Sequence, residues 1–95
     1  MWKGDTVAVS ERKFRVDAGS MPVLLGINDA NLQAVEKRFD ASIVVRGDTV
    51  TLRGEATEVE QIERVFKELL FLLARNNSLT VNDVETVIDL VVANG

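Results

Sequence analysis

Hydrophobic positions recur along this chain with two different periods, and each change of period marks a new element. Phe14 and Val16 alternate with Lys13 and Arg15, the pattern of a strand with one dry face. A weaker alternation at Val7 and Val9 comes before it, which leaves open whether Thr6–Ser10 adds to that strand. Gly19 and Ser20 break the pattern. Pro22, the one proline, suits the first turn of a short helix, where its missing N–H costs nothing, and Gly26 suits the end of that helix. The period then changes to three and four. Leu32, Val35 and Phe39 mark the buried stripe of a second helix from about Ala30 to Phe39, with Asn31, Gln33, Lys37 and Arg38 off that stripe. Either Asn28 or Asp29 supplies a side-chain oxygen to cap it.

After Asp40 the period returns to two. Ile43-Val44-Val45-Arg46 and Thr49-Val50-Thr51-Leu52-Arg53 flank Gly47-Asp48, a two-residue hairpin turn closed on the far side by Gly54. The turn pairs Val45 with Val50 and Ile43 with Leu52 on one face, leaving Arg46, Thr49, Thr51 and Arg53 on the other. A slip of one residue would place arginine among the four apolar side chains, so the register is well specified. Thr57-Glu58-Val59-Glu60 reads as a capping box, with Glu60 reaching back to the start of a helix carrying Val59, Ile62, Val65, Phe66, Leu69, Leu70 and Leu73. Asn76-Asn77-Ser78 ends it. A last helix, capped by Thr80 or Asn82, runs through Val84, Val87, Ile88 and Val91, with Leu90 and Val92 off its stripe. Every helix can pack on the dry side of the sheet.

Composition narrows the functional classes. The chain has 95 residues, 46% of them hydrophobic, enough for one small core. It has no cysteine and no histidine, so disulfides, thiolate nucleophiles, imidazole bases and the usual zinc sites are excluded. No apolar run reaches membrane-spanning length and the first residues lack a secretory apolar core, so no membrane and a cytoplasmic location are expected. The net charge of −4 is unevenly placed: residues 1–54 sum to +1 and residues 55–95 to −5. If the chain has a nucleic-acid surface, it belongs to the first part; an ordinary solvated acidic helix face accounts for the asymmetry equally well. Asp29, Asp40 and Asp48 sit in three separate turns where aspartate is expected for backbone reasons, and no metal is assigned to them. Arg46-Gly47-Asp48 spells an integrin-recognition tripeptide, which the tight hairpin explains by itself.

The order of elements resembles a type I KH domain, a single-strand nucleic-acid binder whose G-x-x-G turn clamps the sugar–phosphate backbone. The four positions here are Gly26-Ile27-Asn28-Asp29. Aspartate replaces the second glycine, and a carboxylate there opposes an anion unless it caps the helix. Four segments are similar to the N-terminal KH-like domain of the PhoH family, the phosphate-starvation-inducible ATPases: LLGINDANLQAVEKRF, SIVVRGDTVTLRGE, the V-x-x-I-x-x-V-F-x-x-L-L helix, and a last helix with Asp83-Val84 near its start. In this order they cover nearly all of residues 12–93.

The resemblance implies an α+β fold of β-α-α-β-β-α order, a three-stranded antiparallel sheet with helices on one face and an added C-terminal helix. It divides the chain into an extension (1–11), a KH-like core (12–75) and the last helix (76–95). It further implies a non-catalytic, excised accessory piece that binds or guides single-stranded RNA, with ATP and magnesium held by a P-loop ATPase domain of the same protein. No GxxxxGK[ST] motif occurs in this chain. Carried over by position, Gly26, Ile27, Asn28 and Asp29 form the clamp, Asn31, Gln33 and Ala34 the groove floor, and Val44 and Arg46 its flank. Lys13, Arg15, Arg46 and Arg53 on the wet sheet face are a second phosphate-contacting candidate, weighed against ordinary solubility charge. The alternative role is structural: the apolar surplus at Leu70, Phe71 and Leu72 would dock the ATPase domain or a second copy of the chain.

Overall fold

The computed structural model describes residues 9–94. The elements follow the predicted order: β1 (Val9–Arg15), α1 (Met21–Leu25), a single 3₁₀ turn (Ile27–Asp29), α2 (Ala30–Glu36), β2 (Ser42–Arg46), β3 (Thr49–Glu55), α3 (Ala56–Asn76) and α4 (Val81–Asn94). β3 lies between β1 and β2 and is antiparallel to both. The hairpin register is the expected one, Ile43 opposite Leu52 and Val45 opposite Val50. β1 begins at Val9, inside the segment set apart as an extension, and residues 6–8 of the weaker alternation lie outside the described residues.

The dry face of the sheet meets α3. Val50, Leu52, Ile62, Val65 and Phe66 are at most 1% exposed, and Phe14 of β1 meets Phe66 with ring centroids 5.7 Å apart. α1 packs against α3, and α2 against α1 and α4, with Leu24 and Val35 buried in the shared core. α4 packs on the helices: its stripe of Val84, Val87, Ile88 and Val91 is buried chiefly against α2 and α3. α3, with its 21 residues, is the helix that lies across β1 and β3.

Three local features differ from the sequence reading. β3 runs on through Gly54 to Glu55, so Gly54 does not close the hairpin. It is the point where the α2–β2 loop crosses the strand, and a Cβ there would lie 2.7 Å from that of Ala41. α3 starts at Ala56, ahead of the Thr57–Glu60 box, because Glu55 caps it by accepting the Glu58 N–H at 3.3 Å. Glu58 is then free to accept the amides of Asp40 (3.1 Å) and Ala41 (2.9 Å), fixing the loop that leads into β2. The reciprocal box forms instead at α4, where Thr80 Oγ1 accepts the Asp83 N–H at 3.1 Å and Asp83 accepts the Thr80 N–H at 3.0 Å.

Candidate nucleic-acid interface

The bend between α1 and α2 is built from backbone constraints. Gly26 ends α1 by donating its N–H to the Pro22 carbonyl at 3.0 Å, and its φ of 84° with ψ of 169° lies in a region essentially confined to glycine. A Cβ at this position would also come within 2.9 Å of Asn31 Cγ. Asn28 and Asp29 follow at φ of 55° and 59°, a left-handed conformation that these two residue types tolerate better than most. Two successive left-handed residues swing the chain into α2. Asp29 donates to the Gly26 carbonyl at 3.0 Å and Ala30 donates to the Ile27 carbonyl.

The expected side-chain cap on α2 is not made. An N-cap needs extended backbone to aim its oxygen at the first amides, whereas Asp29, the residue before the helix, is left-handed. The bend projects into solvent instead. Ile27 at its tip is 86% exposed, and Asn28 and Asp29 are exposed beside it. The amides that close the bend are those of Asp29 and Ala30, so those of Ile27 and Asn28 take no part in it.

The remaining nominated residues separate into three places. Asn31, read as lying off the buried stripe, is 3% exposed. Its Nδ2 donates to the Val23 carbonyl at 3.2 Å and to the Leu79 carbonyl at 3.3 Å, which ties α2 to α1 and to the linker before α4. Gln33 and Ala34 line a shallow depression of about 280 Å³ together with Lys37 of the following turn and with Val81 and Glu85 of α4. α4 thus supplies one wall of the surface next to the bend. Val44 and Arg46 alternate with the inward Ile43 and Val45, and so lie on the outer sheet face, away from the helices. The structure brings the bend, Gln33 and Ala34 together on α2 and leaves Val44 and Arg46 on the far side of the sheet.

Charge near the bend is mixed. Lys37 lines the depression, while the neighbouring Arg38 is held by Asp89 at 2.8 Å. The sequence places Lys37 only off the buried stripe, because nothing in the α2 pattern shows that α4 will stand opposite it. On the other side of the molecule Arg15 binds Asp48 at 2.6 Å, and this hydrogen bond holds the Asp48 carboxyl below its ordinary pKa and raises that of Arg15. The sign follows: the pair contributes above the ordinary carboxylate range, and the contribution is lost as pH falls through the depressed Asp48 value. Among the described residues no three carboxylates converge on a point where a metal ion would sit.

Strand order β1-β3-β2, the helix–bend–helix between β1 and β2, and α3 across the dry face define a KH-like α+β domain. No family model and no solved structure matches the chain. It is 42% identical over 72 residues to PhoH-like proteins of Mycobacterium tuberculosis (strain ATCC 25618 / H37Rv) and Mycobacterium bovis, and 38% identical over 72 residues to that of Mycobacterium leprae. Over that stretch, 76% of its length, the chain is a relative of the PhoH-like proteins. It spans about a fifth of the length of these relatives. Among the described residues no helix is long and apolar enough to cross a membrane.

Proposed function

We propose that this chain is a non-catalytic, KH-like module of a PhoH-like, ATP-binding protein, and that it holds single-stranded RNA by the Gly26–Asp29 bend. The observation that carries this reading is the bend itself: four residues forced outward by one glycine-only conformation and two left-handed residues, with Ile27 86% exposed at the tip. A bend of this shape lets a sugar–phosphate backbone approach main-chain amides closely, with Gln33 on α2 and Lys37 just past its end for the nucleotides that follow. The ATP and magnesium of the whole protein belong to a domain outside this chain.

Asp29 gives the reading a sharp test. Its carboxylate makes no helix cap, so it stands as an uncompensated negative charge where a phosphate would lie. Asp29→Gly keeps the left-handed backbone and removes the charge; one unit charge at contact distance in water is about 1 kcal/mol, so affinity for short single-stranded RNA rises about fivefold. Ile27→Asp, at a position too exposed to affect folding, lowers it by a similar factor. Both are read by fluorescence anisotropy at low salt. RNA affinity unchanged in both variants contradicts the clamp.

The exposed apolar side chains of α3 and α4 favour a second reading, docking. Phe71 is 57% exposed and Leu90 58%, whereas Leu70 and Leu72 are half-buried against the core, so part of the apolar surplus of α3 stays at the surface.

A further inference from the structure

The face of the sheet turned away from the helices has a charge pattern that the bend does not use. Pairing across the three strands places Arg15, Thr49 and Arg46 in one row, Lys13, Thr51 and Val44 in the next, and Glu11, Arg53 and Ser42 in a third. Strands lie about 4.8 Å apart, so Arg15 and Arg46 stand roughly 10 Å apart across one row, with the Thr49 hydroxyl between them. Two of the cations are already matched: Arg15 by Asp48 at 2.6 Å and Lys13 by Glu11 at 3.9 Å. Arg46 and Arg53 have no carboxylate within ion-pair distance among the described residues, and both are exposed. No described helix packs on this face.

The opposite side of the molecule is acidic. Glu60, Glu68, Glu85 and Asp89 (the last paired with Arg38) are exposed on α3 and α4, and although Arg64, Lys67 and Arg75 are exposed on α3 as well, this part of the chain sums to −5. A polyanion longer than the bend can hold is repelled from that side and finds its counter-charge on the sheet. We infer that the outer sheet face, through Arg46 and Arg53, is a second phosphate-contacting surface that holds the flanking nucleotides of a single strand whose centre is clamped at the bend. β2 is an edge strand, so Arg46 lies at the rim of this face, where a strand coming round that edge would meet it before Arg53 on the central β3. The contact is to backbone phosphates and carries no base preference.

This inference extends the clamp reading, and the test separates them by oligonucleotide length. A KH turn grips about four nucleotides. The double variant Arg46→Gln/Arg53→Gln is compared with the unchanged chain on single-stranded RNA of about four and about twelve nucleotides. Losing two single-strand phosphate contacts lowers the salt slope for the longer strand by about 1.4 and its affinity at about 50 mM salt by at least roughly tenfold, with the four-nucleotide affinity unaltered. Arg46→Lys/Arg53→Lys, which keeps the charges, restores the longer-strand affinity. Equal binding of the longer strand by the Gln variant and the unchanged chain overturns the sheet contact, and the clamp then stands or falls with Ile27→Asp. Loss of the longer strand in the Gln variant with no effect of Ile27→Asp keeps the sheet surface and overturns the clamp. A chain that binds neither strand overturns both.

Discussion

Asn31 shows how one polar residue can organise a small domain. It is 3% exposed, it lies under Gly26, and through one amide nitrogen it serves carbonyls eight residues before it and 48 residues after it. Asn31→Ala leaves the Val23 and Leu79 carbonyls without that donor and opens space beneath the bend. The expected loss is about 1–3 kcal/mol, measured as a lower urea midpoint with an unchanged m-value. Nothing in the helical pattern announces this burial. A polar residue one position before an apolar stripe ordinarily faces water, and its two acceptors come from other elements. Gly26 was more legible, since a glycine between two short amphipathic stretches has few other uses. The left-handed pair after it was only half so: asparagine and aspartate mark a helix start by capping or by adopting positive φ, and here the backbone role wins.

At the level of elements, the hairpin and α4 were the most readable parts. Ile43, Val45, Val50 and Leu52 leave one acceptable register, and the stripe of Val84, Val87, Ile88 and Val91 leaves one buried face. Caps were less readable because more than one residue near a helix start can take the N-cap position. Glu55 takes it at α3, which puts Thr57 inside the first turn where its box with Glu60 has no role, whereas at α4 Thr80 and Asp83 form the box directly. Thr80→Ala removes one half of that box and is expected to cost about 1 kcal/mol. Because Asn31 joins the α4 linker to the bend, the same substitution should raise amide exchange at 30–32 as well as at 81–84, measured by hydrogen exchange. Exchange raised in α4 alone would show that the bend is held independently of the last helix.

Over the whole molecule, two layers divide the charge. The sheet side carries Arg46 and Arg53 without ion-pair partners among the described residues, and on the α3–α4 side the carboxylates outnumber Arg64, Lys67 and Arg75, so a protein of net charge −4 can still present a face to a polyanion. The sequence halves already pointed to that division. The side of the sheet on which Arg46 and Val44 lie also follows from the strand alternation, whereas their distance from α2 became visible only with the layers assembled. The similarity to PhoH-like proteins covers about a fifth of those chains. The most direct test of the central claim is an amide-shift titration of this chain with short single-stranded RNA at low salt. The account predicts that the amides of residues 26–31 move first and saturably. Amides 26–31 that stay fixed throughout the titration would contradict it.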